Sequence, residues 1–211
     1  MKFLIKLLFL YLIISLSACS TKSLGQQCND LVSSEDYQKA LPICERAYNQ
    51  ALWKLGETHP ETLISQMGLV ETYLFFKRYD DAEFLANSLK TRMSNSSPNM
   101  DKAAANLSKA VILRNLAFIH EKQGKLKQSI EDWKNLYDWT KQVSESEFIV
   151  EQFSSAVAVT ELCLQENRVD EAKYYFKIAQ DIHTRYADTK KLSDDDIEIY
   201  QELVNSMKQY L

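Results

Sequence analysis

Four cysteines, three histidines and a run of three aspartates carry whatever chemistry beyond packing this 211-residue chain has. A helical zinc site needs two histidines four residues apart, and His59, His120 and His183 are far too widely spaced for that. A phosphate loop needs clustered glycines, and a serine nucleophile on a strained turn needs Gly-x-Ser-x-Gly; neither pattern occurs. Asp194, Asp195 and Asp196 lack the spaced ligands and the glycine of a calcium loop. Behind Ser193 they suit the start of a helix, where a hydroxyl cap and negative charge are both favoured. Thiol chemistry remains. Cys163 falls on the helical stripe Phe153, Ala156, Val159, Thr160, Cys163, and a small buried hydrophobe is its simplest reading. The alternative is a hydrolase or thiol redox enzyme using Cys163, which would need a histidine partner that the sequence does not identify. No catalytic residue, metal site or cofactor is expected.

The elements around these residues are helices. Only four Gly and three Pro (Pro42, Pro60, Pro98) interrupt the chain, which disfavours a turn-rich sheet fold. Hydrophobic residues make up 45% and charged residues 26%, an ordinary globular balance. A net charge of −4 with no basic stripe argues against nucleic acid, whose phosphates reward clustered Lys and Arg.

Residues 1–18 read as a targeting segment. Lys2 and Lys6 supply a positive end, and Phe3 to Ile14 an apolar run shorter than the roughly 20 residues a membrane span needs. Small residues follow, and the stretch Leu16-Ser17-Ala18-Cys19 resembles the lipobox of bacterial lipoproteins. The resemblance implies cleavage before Cys19 and covalent lipid on that residue, the only added group expected. Several acyl chains would anchor the protein stably. Ser20 is not the Asp that favours inner-membrane retention, so the inner face of the outer membrane is the implied location. An ordinary signal peptide with an incidental cysteine is the alternative.

Past Lys22 the chain repeats. Ala40…Cys44, Ala82…Ala86, Ser129…Trp133 and Ala172…Phe176 each pair two core-type residues four apart, and their leading positions are separated by 42, 47 and 43 residues. Tyr37, Tyr79, Leu126 and Val169 precede them by three; Ala47, Leu89, Leu136 and Ala179 follow. These offsets trace one helix face. A second helical pattern lies upstream in the later units: Leu63, Leu69, Val70, Tyr73, Leu74; then Val111, Leu113, Leu116, Ala117, His120; then the Cys163 stripe. Short polar turns join each pair, so every unit reads as a helical hairpin. With "LGETHPETL" (55–63) and "YDDAE" (79–83), the pattern is similar to tetratricopeptide repeats of the longer kinesin-light-chain type. Ser129, Cys44 and Ala86 depart from that family's usual residues, and the turn glycine remains only as Gly124.

The resemblance implies an all-α solenoid of tetratricopeptide-like hairpins. Residues 1–18 are the signal peptide and 19–25 the lipidated anchor with the start of the first hairpin. About four hairpins follow over 26–192, and 193–211 is a C-terminal capping helix. Ile197, Tyr200, Leu203, Val204, Met207 and Tyr210 give that tail its apolar stripe; pairing two copies through it is the alternative. In the repeat register Cys28 and Cys44 both point into the first hairpin, and an exported protein is expected to join them as a disulfide. Carrying the family's concave groove over gives Ile64, Met67, Glu71, Leu74 and Phe75 from the second unit. It gives Arg114, Asn115, Phe118, Glu121 and Lys122 from the third, and Val157, Glu161 and Gln165 from the fourth. Phe75 and Phe118 would take apolar anchors of a peptide, or else pack between units. The implied function is a lipid-anchored scaffold that binds an envelope protein or peptide, as pilotins and envelope-assembly adaptors do.

Overall fold

The computed structural model describes residues 22–95, 101–144, 147–189 and 191–211. The signal segment and Cys19 lie outside the described residues. Among those described, nine α-helices follow in order: α1 (Leu24–Ser33), α2 (Tyr37–Leu55), α3 (Pro60–Phe75), α4 (Tyr79–Asn95), α5 (Lys102–Lys122), α6 (Leu126–Val143), α7 (Ile149–Gln165), α8 (Val169–Tyr186) and α9 (Asp194–Met207). Among the described residues there is no strand. The first eight helices form four antiparallel hairpins, and α9 packs on α7 and α8. The first hairpin is short in front: α1 has 10 residues, against 16, 21 and 17 in α3, α5 and α7.

Local signals set the helix starts. Ser23 and Gln26 form a reciprocal capping box on α1, and Ser193 and Asp196 do so on α9. Asp101 accepts from the Ala104 amide at 3.0 Å. At α3, Pro60 takes the first position, where its missing N–H costs nothing, and His59 Nδ1 accepts from the Glu61 amide at 3.2 Å.

The hairpin turns repeat as strictly as the cores. Glu35, Lys77, Gly124 and Asn167 all have positive φ, at 58°, 58°, 73° and 58°. Each turn closes with the same long-range backbone bond, from Asp36, Arg78, Lys125 and Arg168 to the carbonyls of Leu31, Tyr73, His120 and Cys163. These are the paired bonds of a helix ending in a left-handed residue. Only one of the four is glycine, although the left-handed conformation costs an L residue about 1–2 kcal/mol. Lys77→Gly is therefore expected to stabilise by roughly 0.5–1 kcal/mol after the entropy that glycine loses on folding. Gly124→Ala, whose added Cβ would meet nothing within 4 Å, should lose about 1 kcal/mol through strain alone. Denaturant midpoints of the two variants check both signs.

The small-then-large pairs all lie in the interior. Ala40, Cys44, Ala82, Ala86, Ser129, Trp133, Ala172 and Phe176 are buried. The small member lets two helices approach, and the Ser129 hydroxyl, buried in place of alanine, donates to the Ala117 carbonyl at 2.8 Å. Two apolar clusters result, and α5 belongs to both. Its Ile112, Leu116 and Ile119 join the N-terminal cluster; Ala110, Leu113 and Ala117 join the C-terminal one. In the N-terminal cluster Cys28 and Cys44 form a disulfide between α1 and α2. Gly68 of α3 lies directly against it, and an added Cβ would come within 2.7 Å of Cys28 Sγ. At the other end Tyr200, Leu203 and Met207 of α9 are buried. Tyr200 stacks on His183 with ring centroids 4.2 Å apart and on Phe176 at 6.2 Å. Tyr200, Leu203 and Met207 of the tail stripe thus pack on the last hairpin.

Candidate protein-binding groove

In the first three hairpins the leading helices touch one another, α1 on α3 and α3 on α5, whereas among the described residues no contact of similar extent joins the second helices. First helices therefore line the inside of the curve. On α5 the two core faces leave one stripe between them, through Leu107, Val111, Arg114, Phe118 and Glu121 or Lys122, at offsets of four and three. It faces away from α4 and α6. The matching stripes run through Ile64 and Phe75 on α3 and through Val150 and Glu161 on α7. Ile64, Phe75, Leu107, Phe118 and Val150 are all exposed large hydrophobics.

The groove positions divide into three kinds. Some are anchors open to solvent. Phe75 is 52% exposed; it stacks on Tyr37 at the start of α2, with centroids 4.5 Å apart, and meets the Phe76 ring edge-on at 5.2 Å. Phe118 is 37% exposed, with the Lys122 ammonium 4.6 Å from its ring centroid. Lys122 also pairs with Glu121 at 2.7 Å. Glu161 and Gln165 are open to solvent as well.

A second kind holds helices together. Asn115 is buried and bonds Glu71, bridging α3 to α5. The sequence pattern puts Asn115 in the groove; in the structure its side chain is buried at the α3–α5 contact. Burial pushes the Glu71 carboxyl above the usual range, against the Arg114 charge and the Asn115 bond. Burial first, and then the Glu71 charge, raises the Tyr37 phenol, so the Glu71 charge acts on Tyr37 of α2 as well as on Arg114 of α5. The third kind is core. Val157 is buried in the C-terminal cluster, and Leu74 and Met67 pack against the N-terminal one. The sequence pattern puts all three in the groove; Met67 and Leu74 fall one helical position off the register of Ile64 and Phe75, whereas Val157 keeps the register of Arg114 and is buried all the same. At the other end solvent reaches Glu161, but the helices around it strip away much of its hydration. That desolvation pushes its carboxyl up, as do the carboxylates of Glu121 and Glu202, with Lys122 opposing. Carboxylates on α5 and α9 thus raise the cost of ionising the one on α7 at this end, an effect of Glu202 that no pattern within one helix shows.

Among the described residues no cluster of metal-ligating side chains occurs. Cys163 is buried, and burial, assisted by Glu171, pushes its thiol up to about 11. An activated thiol needs the opposite shift. His120, expected as a core residue, is buried between two carboxylates. Nδ1 lies 2.5 Å from Asp132 of α6 and Nε2 3.2 Å from Glu83 of α4. It therefore joins three helices.

No protein-family model matches the chain, and no curated protein matches it. Solved structures do. A kinesin-light-chain-like protein of Podospora anserina with nearly identical TPR-like repeats superposes with a TM-score of 0.65 at 15% identity, covering 89% of this chain and 88% of that one. A point variant of the same protein gives 0.63 at 13% identity, covering 89% and 94%. At such identity the likeness concerns fold, and it places this chain among all-α solenoids of tetratricopeptide-like helical hairpins.

Proposed function

We propose that the protein is a lipid-anchored scaffold of the bacterial envelope that holds a segment of another protein in the concave groove. The observation that carries the groove is its row of exposed apolar side chains, Ile64, Phe75, Leu107 and Phe118, on the inner faces of α3 and α5. Water-facing apolar groups aligned along a concave wall are what a bound segment would cover. Phe118 and Arg114, one helical turn apart, offer an aromatic anchor beside a fixed cation, the pairing that dominates interface energetics. The anchor rests on Leu16-Ser17-Ala18-Cys19, and the outer membrane on Ser20. The partner would be an envelope protein.

Phe118→Ala combined with Arg114→Ala should weaken partner capture at least about tenfold, since interface anchors of these types each contribute on the order of 1–2 kcal/mol. Helicity should be kept, because neither side chain belongs to an apolar cluster; Phe118→Ala alone controls for the charge that Arg114→Ala removes from beside Glu71. Capture that survives the double substitution would refute the groove. The anchor has its own test. Cys19→Ser should move the protein from the membrane fraction to the soluble one.

A further inference from the structure

The most exposed large hydrophobic side chain among the described residues is not in the groove. It is Trp53, 84% exposed, in the last turn of α2, followed by exposed Lys54 and by Leu55, which is 43% exposed. Among the described residues the indole belongs neither to a core cluster nor to an aromatic pair. Its backbone is nevertheless held firmly. The Gly56 amide donates to the Leu52 carbonyl at 3.1 Å and closes the helix. The Thr62 hydroxyl of α3 donates to the Gly56 carbonyl at 2.8 Å and fastens the turn from the other side. Gly56 has a φ of 85°, which glycine adopts freely.

The disulfide fixes where this turn lies relative to the chain's start. Cys28 and Cys44 are opposite one another on antiparallel helices. Position 53 is nine residues beyond Cys44, and Lys22 is six residues before Cys28. At about 1.5 Å per helical residue Trp53 stands roughly 13 Å beyond the disulfide toward that end of the hairpin, and Lys22, two extended residues before the helix start at Leu24, reaches a similar level. Three residues separate Cys19 from Lys22, a reach of at most about 10 Å. A lipid on Cys19 therefore keeps the Trp53 end of the first hairpin within about 10 Å of the bilayer surface.

The geometry points to a second membrane contact: Trp53 and Leu55 insert at the lipid–water interface beside the acylated Cys19, with Lys54 at the head groups. Tryptophan favours that layer because its ring is apolar and its N–H is not. The nearest acid in sequence, Glu57, is paired with Arg92 at 3.4 Å, so it does not oppose an anionic surface alone. Two contacts, one covalent and one through Trp53, would fix the solenoid's tilt and so the direction in which the groove opens. The inference rests on the anchor proposed above.

The test uses the lipidated full chain in phosphatidylethanolamine–phosphatidylglycerol vesicles, with and without bromine on the acyl chains near the head group. Trp53 emission is isolated as the difference between the parent and Trp53→Phe, which alters no core contact. Bromine should remove more than half of that difference signal, while the buried Trp133 is spared. Equal emission in both vesicles, with acyl groups on Cys19 verified by mass spectrometry, overturns the Trp53 contact and leaves the anchor standing. An unmodified Cys19 overturns both.

Discussion

Replacing Cys28 and Cys44 by alanine is expected to cost about 3 kcal/mol, the loop-closure value for a crosslink of this size; the two cysteines are 16 residues apart. The loss should be local. Repeat proteins draw stability from each hairpin and its nearest interfaces, and the first hairpin is the one with a truncated leading helix. It also belongs to the N-terminal apolar cluster, which meets the C-terminal one only at α5. Hydrogen exchange should therefore accelerate in α1 and α2 while α7 to α9 keep their protection. Gly68 sharpens the expectation, because α3 packs against the sulfur atoms themselves and loses its neighbour when they go. Uniform loss of protection along the chain, or none, would contradict this account of the first hairpin.

His120→Phe is the second large effect. It puts a somewhat larger apolar ring in place of the imidazole and removes both polar contacts, leaving Asp132 and Glu83 partly buried without their shared partner. The expected cost is about 2–3 kcal/mol, below the value for a fully buried pair because both carboxylates retain some exposure. Glu83 also accepts from Lys125 and Gln123, and those bonds, more than the His120 contact, hold its carboxyl down at about 2. A depressed carboxylate stabilises the fold above its ordinary pKa and stops doing so as pH falls through the folded value. The stability difference between parent and Glu83→Gln should therefore be complete above about pH 4.5 and vanish toward pH 2. Denaturant titrations of both chains across that range check the sign.

Much of the solenoid was legible because close helix crossings demand small residues, and Ala40, Ala82, Ser129 and Ala172 supply them at nearly constant spacing. The turns were less so. Their left-handed position is occupied by Glu35, Lys77 and Asn167, and only Gly124 carries the residue that signals the conformation. The groove was legible as a stripe but blurred at its edges. A helix advances about 100° per residue, so a single step from Phe118 to Ala117, or from Glu161 to Leu162, crosses from solvent to core. The role of His120 was hidden for another reason. Its partners lie on α4 and α6, and no periodicity within one helix shows which carboxylates a buried ring will meet.

The central claim is that the inner face of α3 and α5 holds a partner. A photo-crosslinking residue placed at position 118 in living cells tests it most directly, with the same residue at position 84 as control. Phe84 is more exposed than Phe118, at 75%, but belongs to a second helix outside the groove. The account predicts one abundant crosslinked envelope protein from position 118 and none of it from position 84. Equal crosslinking from both, or a partner captured only from 84, would contradict it.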